Sequence, residues 1–256
     1  QDEATARVGP YGLDGGWYGP VMPFATRAVG GPVPEMAMAF DDSMGIAPTP
    51  GVDFSGTNVQ EAGIDEPDLV KTDGVRIVVV EGDGLHIIDP SGDSPTPVGR
   101  LALTGHWGGE LLLSGDRAWV LADTDAYYEE GSVPMVPAVA RILPPGRWRP
   151  LTSIIEVDLS DPTNPTVVGT LTVEGRYVSA RVVNGAARVV VSSAPDDLPF
   201  VMPQTPAAED RAERVNRQVV AETTVEDWVP SFVFEAGDGS LVNGQLVDCD
   251  RVSHPV

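Results

Sequence analysis

The chain has 256 residues, with 38 acidic against 16 basic, and a formal net charge of −22. Such a surface repels nucleic-acid phosphates and anionic lipid headgroups, and tolerates basic partners, divalent cations or high salt. No apolar run of about eighteen residues occurs, so no helical membrane span is expected, and the lone cysteine, Cys249, cannot form an internal disulfide.

The hydrophobic fraction of 42% suffices for a core, while 28 glycines and 24 prolines favour many turns and short elements over long helices. Repeated valine pairs and triplets favour strands. The basic residues are arginines apart from Lys71. The sequence starts at Gln1 without a basic-plus-apolar leader, as expected of a chain that is mature, trimmed or never had a signal.

Residues 1–56 are expected to form an irregular arm rich in Gly, Pro and Met, because proline removes donors and fixes φ. Trp17, Tyr18, Phe24 and Phe40 give the arm anchors, as an extended strap or for a partner's surface. Residues 57–256 carry strand patterns. Residues 67–73 lead into a strand, Asp73-Gly74 marks a turn, and Arg76–Val80 and Leu85–Asp89 read as a hairpin through Gly82-Asp83-Gly84. Pro90 ends the second of these, and Arg100–Leu103 is a further short strand.

The pattern then recurs. Leu111–Leu113, a turn at Ser114-Gly115-Asp116, and Arg117–Leu121 open a second round. Thr152–Asp158 parallels Leu85–Asp89, residues 159–165 parallel the Pro-rich turn at 90–95, and Val167-Val168-Gly169-Thr170-Leu171 parallels Val98-Gly99-Arg100-Leu101. A third round opens at Tyr177–Val183, turns at Asn184-Gly185 and runs through Ala187–Val191. Four short antiparallel strands per unit is the composition of a propeller blade, and stacking solves the burial problem that one unit cannot. A β-sandwich uses similar strands but does not require the same internal order to recur.

Two insertions interrupt the units. Residues 122–150 hold Tyr127, Tyr128, Glu129, Glu130 and Trp148. Residues 194–230 hold one expected helix, Pro206 to about Val220, with Thr205 as cap, Asp210–Arg214 and Glu213–Arg217 as ion pairs, and Ala212, Val215 and Val219 as its apolar stripe. The tail gives a buried strand at Trp228–Phe234 and a hairpin at Leu241–Val247. The expected fold is thus an all-β propeller of four-stranded antiparallel blades, with an irregular arm and one short helix. About two and a half units leave the ring unfinished, so a protein fragment or subunit is expected to complete it.

The strings Thr57-Asn58-Val59-Gln60, Gly63-Ile64-Asp65-Glu66, Asp68-Leu69-Val70-Lys71-Thr72-Asp73-Gly74, Glu226-Asp227-Trp228-Val229-Pro230 and Asp248-Cys249-Asp250-Arg251-Val252 with His254-Pro255 resemble a family of secreted proteins. Its members carry a C-terminal β-propeller distantly related to WD-40 repeats. The resemblance covers roughly residues 55 to 256. It implies bacterial and archaeal exported proteins, with an extracytoplasmic (secreted or cell-surface) location and further blades after the His-Pro motif. It carries no catalytic residues.

For chemistry, Asp65, Glu66, Asp68 and Asp73 are the densest carboxylates and suit a hard cation such as Ca²⁺. Their spacing departs from the calcium loop, so turn capping and pairing with arginines is the competing role. His86, His106 and His254, with Cys249, show no zinc spacing. Asp89 and Asp158 end equivalent strands, which fits a shared turn role better than a glycosidase pair. Tyr11, Trp17, Tyr18, Tyr127, Tyr128 and Trp148 are candidate partner contacts or loop anchors. The expected function is non-catalytic binding or structural work through protein–protein contacts. The alternatives are a hydrolase with an acidic site in the propeller channel and a calcium-stabilised exported module. Partners are expected to be protein, with no nucleic acid. No transmembrane segment is expected in this chain, and peripheral association with a membrane complex is left open.

Overall fold

The computed structural model describes residues 2–13, 64–92, 94–106, 109–126, 137–142, 149–195 and 198–252. The chain divides into two compact units, residues 1–47 with 197–227, and residues 48–196 with 228–256.

In the larger unit, the first blade is β2 (Val70–Thr72), β3 (Ile77–Glu81), β4 (Gly84–Asp89) and β5 (Thr96–Ala102), antiparallel in that order. The second is β6 (Glu110–Ser114), β7 (Arg117–Ala126), β8 (Arg149–Asp158) and β9 (Thr166–Glu174), again in chain order. A third sheet pairs β10 (Arg176–Val183) with β11 (Ala186–Ser192). Its other edge carries β1 (Ile64–Asp65). The chain is therefore all-β, with serial four-stranded antiparallel blades.

The two full blades repeat down to their irregularities. The β4–β5 ladder skips Val98, passing from Ile87↔Gly99 to Ile88↔Pro97. The β8–β9 ladder skips Val168 in the same way, from Glu156↔Gly169 to Val157↔Val167. Each bulge bends the fourth strand of its blade, and Pro97 is tolerated where no ladder donor is needed. Asp89 and Asp158 accept from the backbone N–H groups of Ser91 and Ser160, both at 2.8 Å. The expected turn role of these two aspartates is what the geometry gives. The Asn184-Gly185 turn also forms, with φ of 53° and 74° at its two residues.

Period-2 alternation gives the second blade two apolar faces. Ala118, Val120, Ile155 and Val157 meet Val78, Val80, Leu85 and Ile87 of the first blade. Leu112 and Leu121, with Trp119 and Ile154, meet Ala180 and Val182 of the third sheet. Each fully buried side chain of this size is worth about 1.5–3 kcal/mol against exposure. Arg76 ties the first blade to the second. It pairs with Asp73 and Asp116, both at 2.9 Å, and donates to the carbonyls of Leu159 (2.6 Å) and Gly115 (3.0 Å).

Several expectations change here. The first insertion is shorter than 122–150. β7 and β8 stay paired out to Ala126↔Arg149, where Arg149 meets Glu174 at 3.0 Å. β5 begins at Thr96, ahead of the strand expected at Arg100–Leu103, and ends at Ala102. Leu241–Val247 is not a hairpin: β13 (Leu241–Gln245) is one strand paired with β12 (Ser231–Ala236), and the turn between them lies at 237–240. Asp238 accepts the Ser240 N–H at 2.9 Å and so closes this turn, in preference to Asn243-Gly244. β12 also pairs with β9, so the second sheet has six strands.

In the smaller unit, α1 (Asp2–Arg7) is a helix within the stretch expected to be irregular. α2 (Glu209–Glu222) follows a 3₁₀ turn at Pro206–Ala208, and Thr205 makes no side-chain capping bond. The Glu213–Arg217 pair forms at 2.6 Å. The buried stripe is Ala212, Asn216 and Val220, one position on from the expected Val215 and Val219. Asn216 explains the shift. Its amide accepts from the Val201 N–H (2.7 Å) and donates to the carbonyls of Val201 (3.1 Å) and Pro10 (3.1 Å), so the polar side chain belongs inside. The remainder of residues 1–56, from 14 on, lies outside the described residues.

Candidate functional site

Residues 64–72 cross three sheets in nine residues. Ile64 and Asp65 pair with Val183 and Val182 of the third sheet. Asp68 exchanges both backbone bonds with Leu111 of the second blade, at 3.1 and 2.7 Å. Val70–Thr72 is then the first strand of the first blade. The crossing is pinned from inside. Lys71, the chain's single lysine, is only 4% exposed and pairs with Asp65 at 2.8 Å. It also donates to the Glu66 carbonyl. The other Asp65 oxygen accepts the Leu113 N–H at 2.9 Å. A buried ammonium needs such company, because desolvation is repaid only by an opposite charge and full hydrogen bonding.

The carboxylates singled out for a cation are thus occupied. Asp65 serves Lys71 and Leu113. Glu66 pairs with Arg181 at 3.2 Å. Asp68 accepts its neighbour's N–H at 2.7 Å. Asp73 accepts from Val75 (3.0 Å) and Arg76 (2.9 Å). Among the described residues, no three His, Cys, Asp or Glu side chains gather as a metal site. Of the aromatic candidates, Tyr11 is half-buried and donates to Glu209 at 3.1 Å, a bond that pushes its hydroxyl pKa up. Trp17, Tyr18, Tyr127, Tyr128 and Trp148 lie outside the described residues, as does His254. His86 sits mid-ladder between Val79 and Arg100. On β10 of the third sheet, burial, followed by a hydrogen bond with Glu110, drives the Tyr177 pKa far up, so its hydroxyl stays protonated.

The feature sequence reasoning missed is a polar row inside the second blade. His106 Nδ1 lies 3.2 Å from Thr124 Oγ1, which lies 3.0 Å from Ser153 Oγ, itself 3.0 Å from Thr172 Oγ1. Thr124, Ser153 and Thr172 come from β7, β8 and β9, and all four residues are buried. The row is flanked by Leu151 and Val233 on one side and Ile155 on the other. The turn that leads into His106 is fixed by the Leu103 N–H bond to the Asp83 carbonyl (2.6 Å) and the His106 N–H bond to the Leu103 carbonyl (3.0 Å). Burial alone lowers the His106 pKa, so the ring is neutral near pH 7. A hint existed in the sequence: hydroxyl residues stand at inward positions where alternation calls for aliphatics.

Both ends of the row, His106 and Thr172, border a cleft of about 370 Å³. Leu103, Ala138, Ile155 and Val167 form its apolar wall, and Thr170 and Glu235 stand at its polar side. No catalytic dyad results. Ser153 is fully buried, and Thr124 separates it from the imidazole.

Residues 54–256 match the family described as "Beta propeller domain". An uncharacterised protein of the archaeon Methanocaldococcus jannaschii, MJ1554, is 26% identical over 148 residues, which is 58% of this chain and 19% of that protein. The chain thus spans less than two thirds of that relative's length, and no solved structure matches it. With serial four-stranded blades and a match running from residue 54 to residue 256, the chain belongs to the β-propeller domain family.

Proposed function

We propose that the protein is a non-catalytic binding or structural β-propeller that works through protein–protein contacts in an extracytoplasmic setting, secreted or at a cell surface. The propeller fold supports an interaction or structural module in general. The extracytoplasmic location and a distant relation to WD-40 repeats rest on the motif resemblance at residues 57–60, 63–66, 68–74, 226–230 and 248–255.

The observation that carries the interaction reading is the far face of β10 and β11. One face of this pair packs on the second blade through Ala180, Val182, Ala187 and Val189. The other presents Val178 (58% exposed) and Val190 (54% exposed), with Arg181 opposite Arg188. A sheet with an apolar-and-arginine face of this kind suits another four-stranded sheet whose facing strands carry valines and carboxylates. Its occupant is therefore a further blade, carried by this polypeptide or by a separate one.

The test is the Val178→Asp/Val190→Asp double variant of the protein as isolated from its source, compared with wild type by intact-complex mass and thermal unfolding. A drop in Tm with unchanged mass is expected for a blade on the same chain. Loss of a second polypeptide is expected for a separate one. Unchanged Tm and unchanged mass overturn the proposal.

A further inference from the structure

We infer that the cleft between the first and second blades is a binding site for a small, uncharged, polyhydroxylated ligand, a sugar residue or a polyol of similar size. This goes beyond the protein–protein role, because the cleft is lined by residues other than those of the β10–β11 face.

Its volume, about 370 Å³, falls in the range of small-molecule sites. The His106–Thr124–Ser153–Thr172 row fixes what kind of ligand fits. Each hydroxyl donates one hydrogen, so a row of three hydroxyls and a neutral imidazole has a direction. With Nδ1 protonated, His106 donates to Thr124, Thr124 to Ser153 and Ser153 to Thr172. The Thr172 O–H is then left as donor, and His106 Nε2 as acceptor. With Nε2 protonated, every bond reverses, Thr172 becomes the acceptor end and His106 the donor end. In both arrangements one end of the row donates and the other accepts, and both ends border the cleft.

A ligand must therefore offer a donor and an acceptor together. A hydroxyl group does both. An ammonium group only donates, and leaves the donor end unmet. A carboxylate or phosphate only accepts, and also faces Glu235, the one acidic side chain among the described residues of the wall, in a chain of net charge −22. An apolar ligand would strand both ends, and a buried polar group left without a partner is costly. Glu235 pairs in register with Thr170, two pairs along from Val233 with Thr172 and so on the same face, on the strand beside the row's end. A carboxylate accepts two hydroxyls of one sugar at once. Leu103, Ile155 and Val167 supply the apolar side that C–H faces of a sugar need.

Binding is tested by calorimetric titration of the full chain with glucose, galactose, mannose, N-acetylglucosamine and glycerol, beside ethanolamine and acetate. Saturable binding of at least one of the neutral compounds is expected, weakened about tenfold or more in Glu235→Gln and in Thr172→Val. Glu235 is exposed, so Glu235→Gln is expected to keep the wild-type Tm and serves if Thr172→Val folds poorly. On sugar binding the ¹⁵N resonances of the His106 ring should shift, as one tautomer is selected. Absence of saturable binding by every neutral compound overturns the proposal. So does binding that neither variant weakens, or preference for ethanolamine or acetate.

Discussion

The two complete blades share a plan and differ in what they enclose. Both run four strands outward in chain order, end the third strand on an Asp-Ser turn and skip one valine in the fourth ladder. The first blade has strands of three to seven residues and one apolar face fully committed to its neighbour. The second has ten-residue β7 and β8, is buried on both faces, and gains β12 and β13 at its outer edge. The turns and bulges therefore define the blade. The extra strand length defines a place where polar groups are buried beyond the inter-blade core, as the row from His106 to Thr172 shows.

The largest break in this comparison is expected at Lys71, which holds the crossing segment to all three sheets. Lys71→Met leaves the partly buried Asp65 carboxylate without its counter-ion, and about 3 kcal/mol of stability should be lost in denaturant unfolding. The next contrast is between the equivalent glycines. A methyl at Gly99 would run into the Pro162 backbone carbonyl of the second blade, whereas one at Gly169 would meet the Phe234 ring at 2.7 Å. A backbone atom yields less than a half-exposed ring, so Gly99→Ala should cost about 3 kcal/mol and Gly169→Ala about 1 kcal/mol. Equal costs would deny the inter-blade contact.

Within the second blade, Ser153→Ala orphans the hydroxyls on either side and should cost about 2 kcal/mol by urea titration. A smaller signal concerns pH. The His106 pKa is below its ordinary 6.5 in the folded state, so the unfolded chain binds the proton first. The stability is full above about pH 6.5 and falls as pH drops through the folded value. His106→Gln should flatten that decline as the pH falls below about 6.5. The smallest effects are expected at Asp89 and Asp158. Each alanine variant should lower the Tm only slightly, Asp158→Ala somewhat more than Asp89→Ala because Asp158 also meets Arg117 at 3.1 Å.

Much of the blade plan was legible before the fold was seen. Asp73-Gly74, Asn184-Gly185 and the Asp-then-Pro turns carry their conformations in single residues, and valine-rich alternation places strands between them. What escaped was set by pairing at a distance. The Asn243-Gly244 dipeptide has the local signature of a hairpin turn, yet β13 runs straight through it because β12 fixes the register from Ser231 to Glu235. Nothing local says that β12 joins β9, some sixty residues back. The carboxylates near residue 65 were visible as a cluster, but Lys71 as their buried partner was not, because its burial follows from the strands on either side. The hydroxyl row has the same origin, being spread over three strands and a loop.

The measurement closest to the central claim, serial blades stitched together by residues 64–72, is hydrogen exchange by mass spectrometry on wild type and Lys71→Met. Faster exchange is expected together in residues 64–72, in β6 and in β10, because the crossing segment bonds to each. Faster exchange confined to residues 64–72, with β6 and β10 as protected as in wild type, would contradict it.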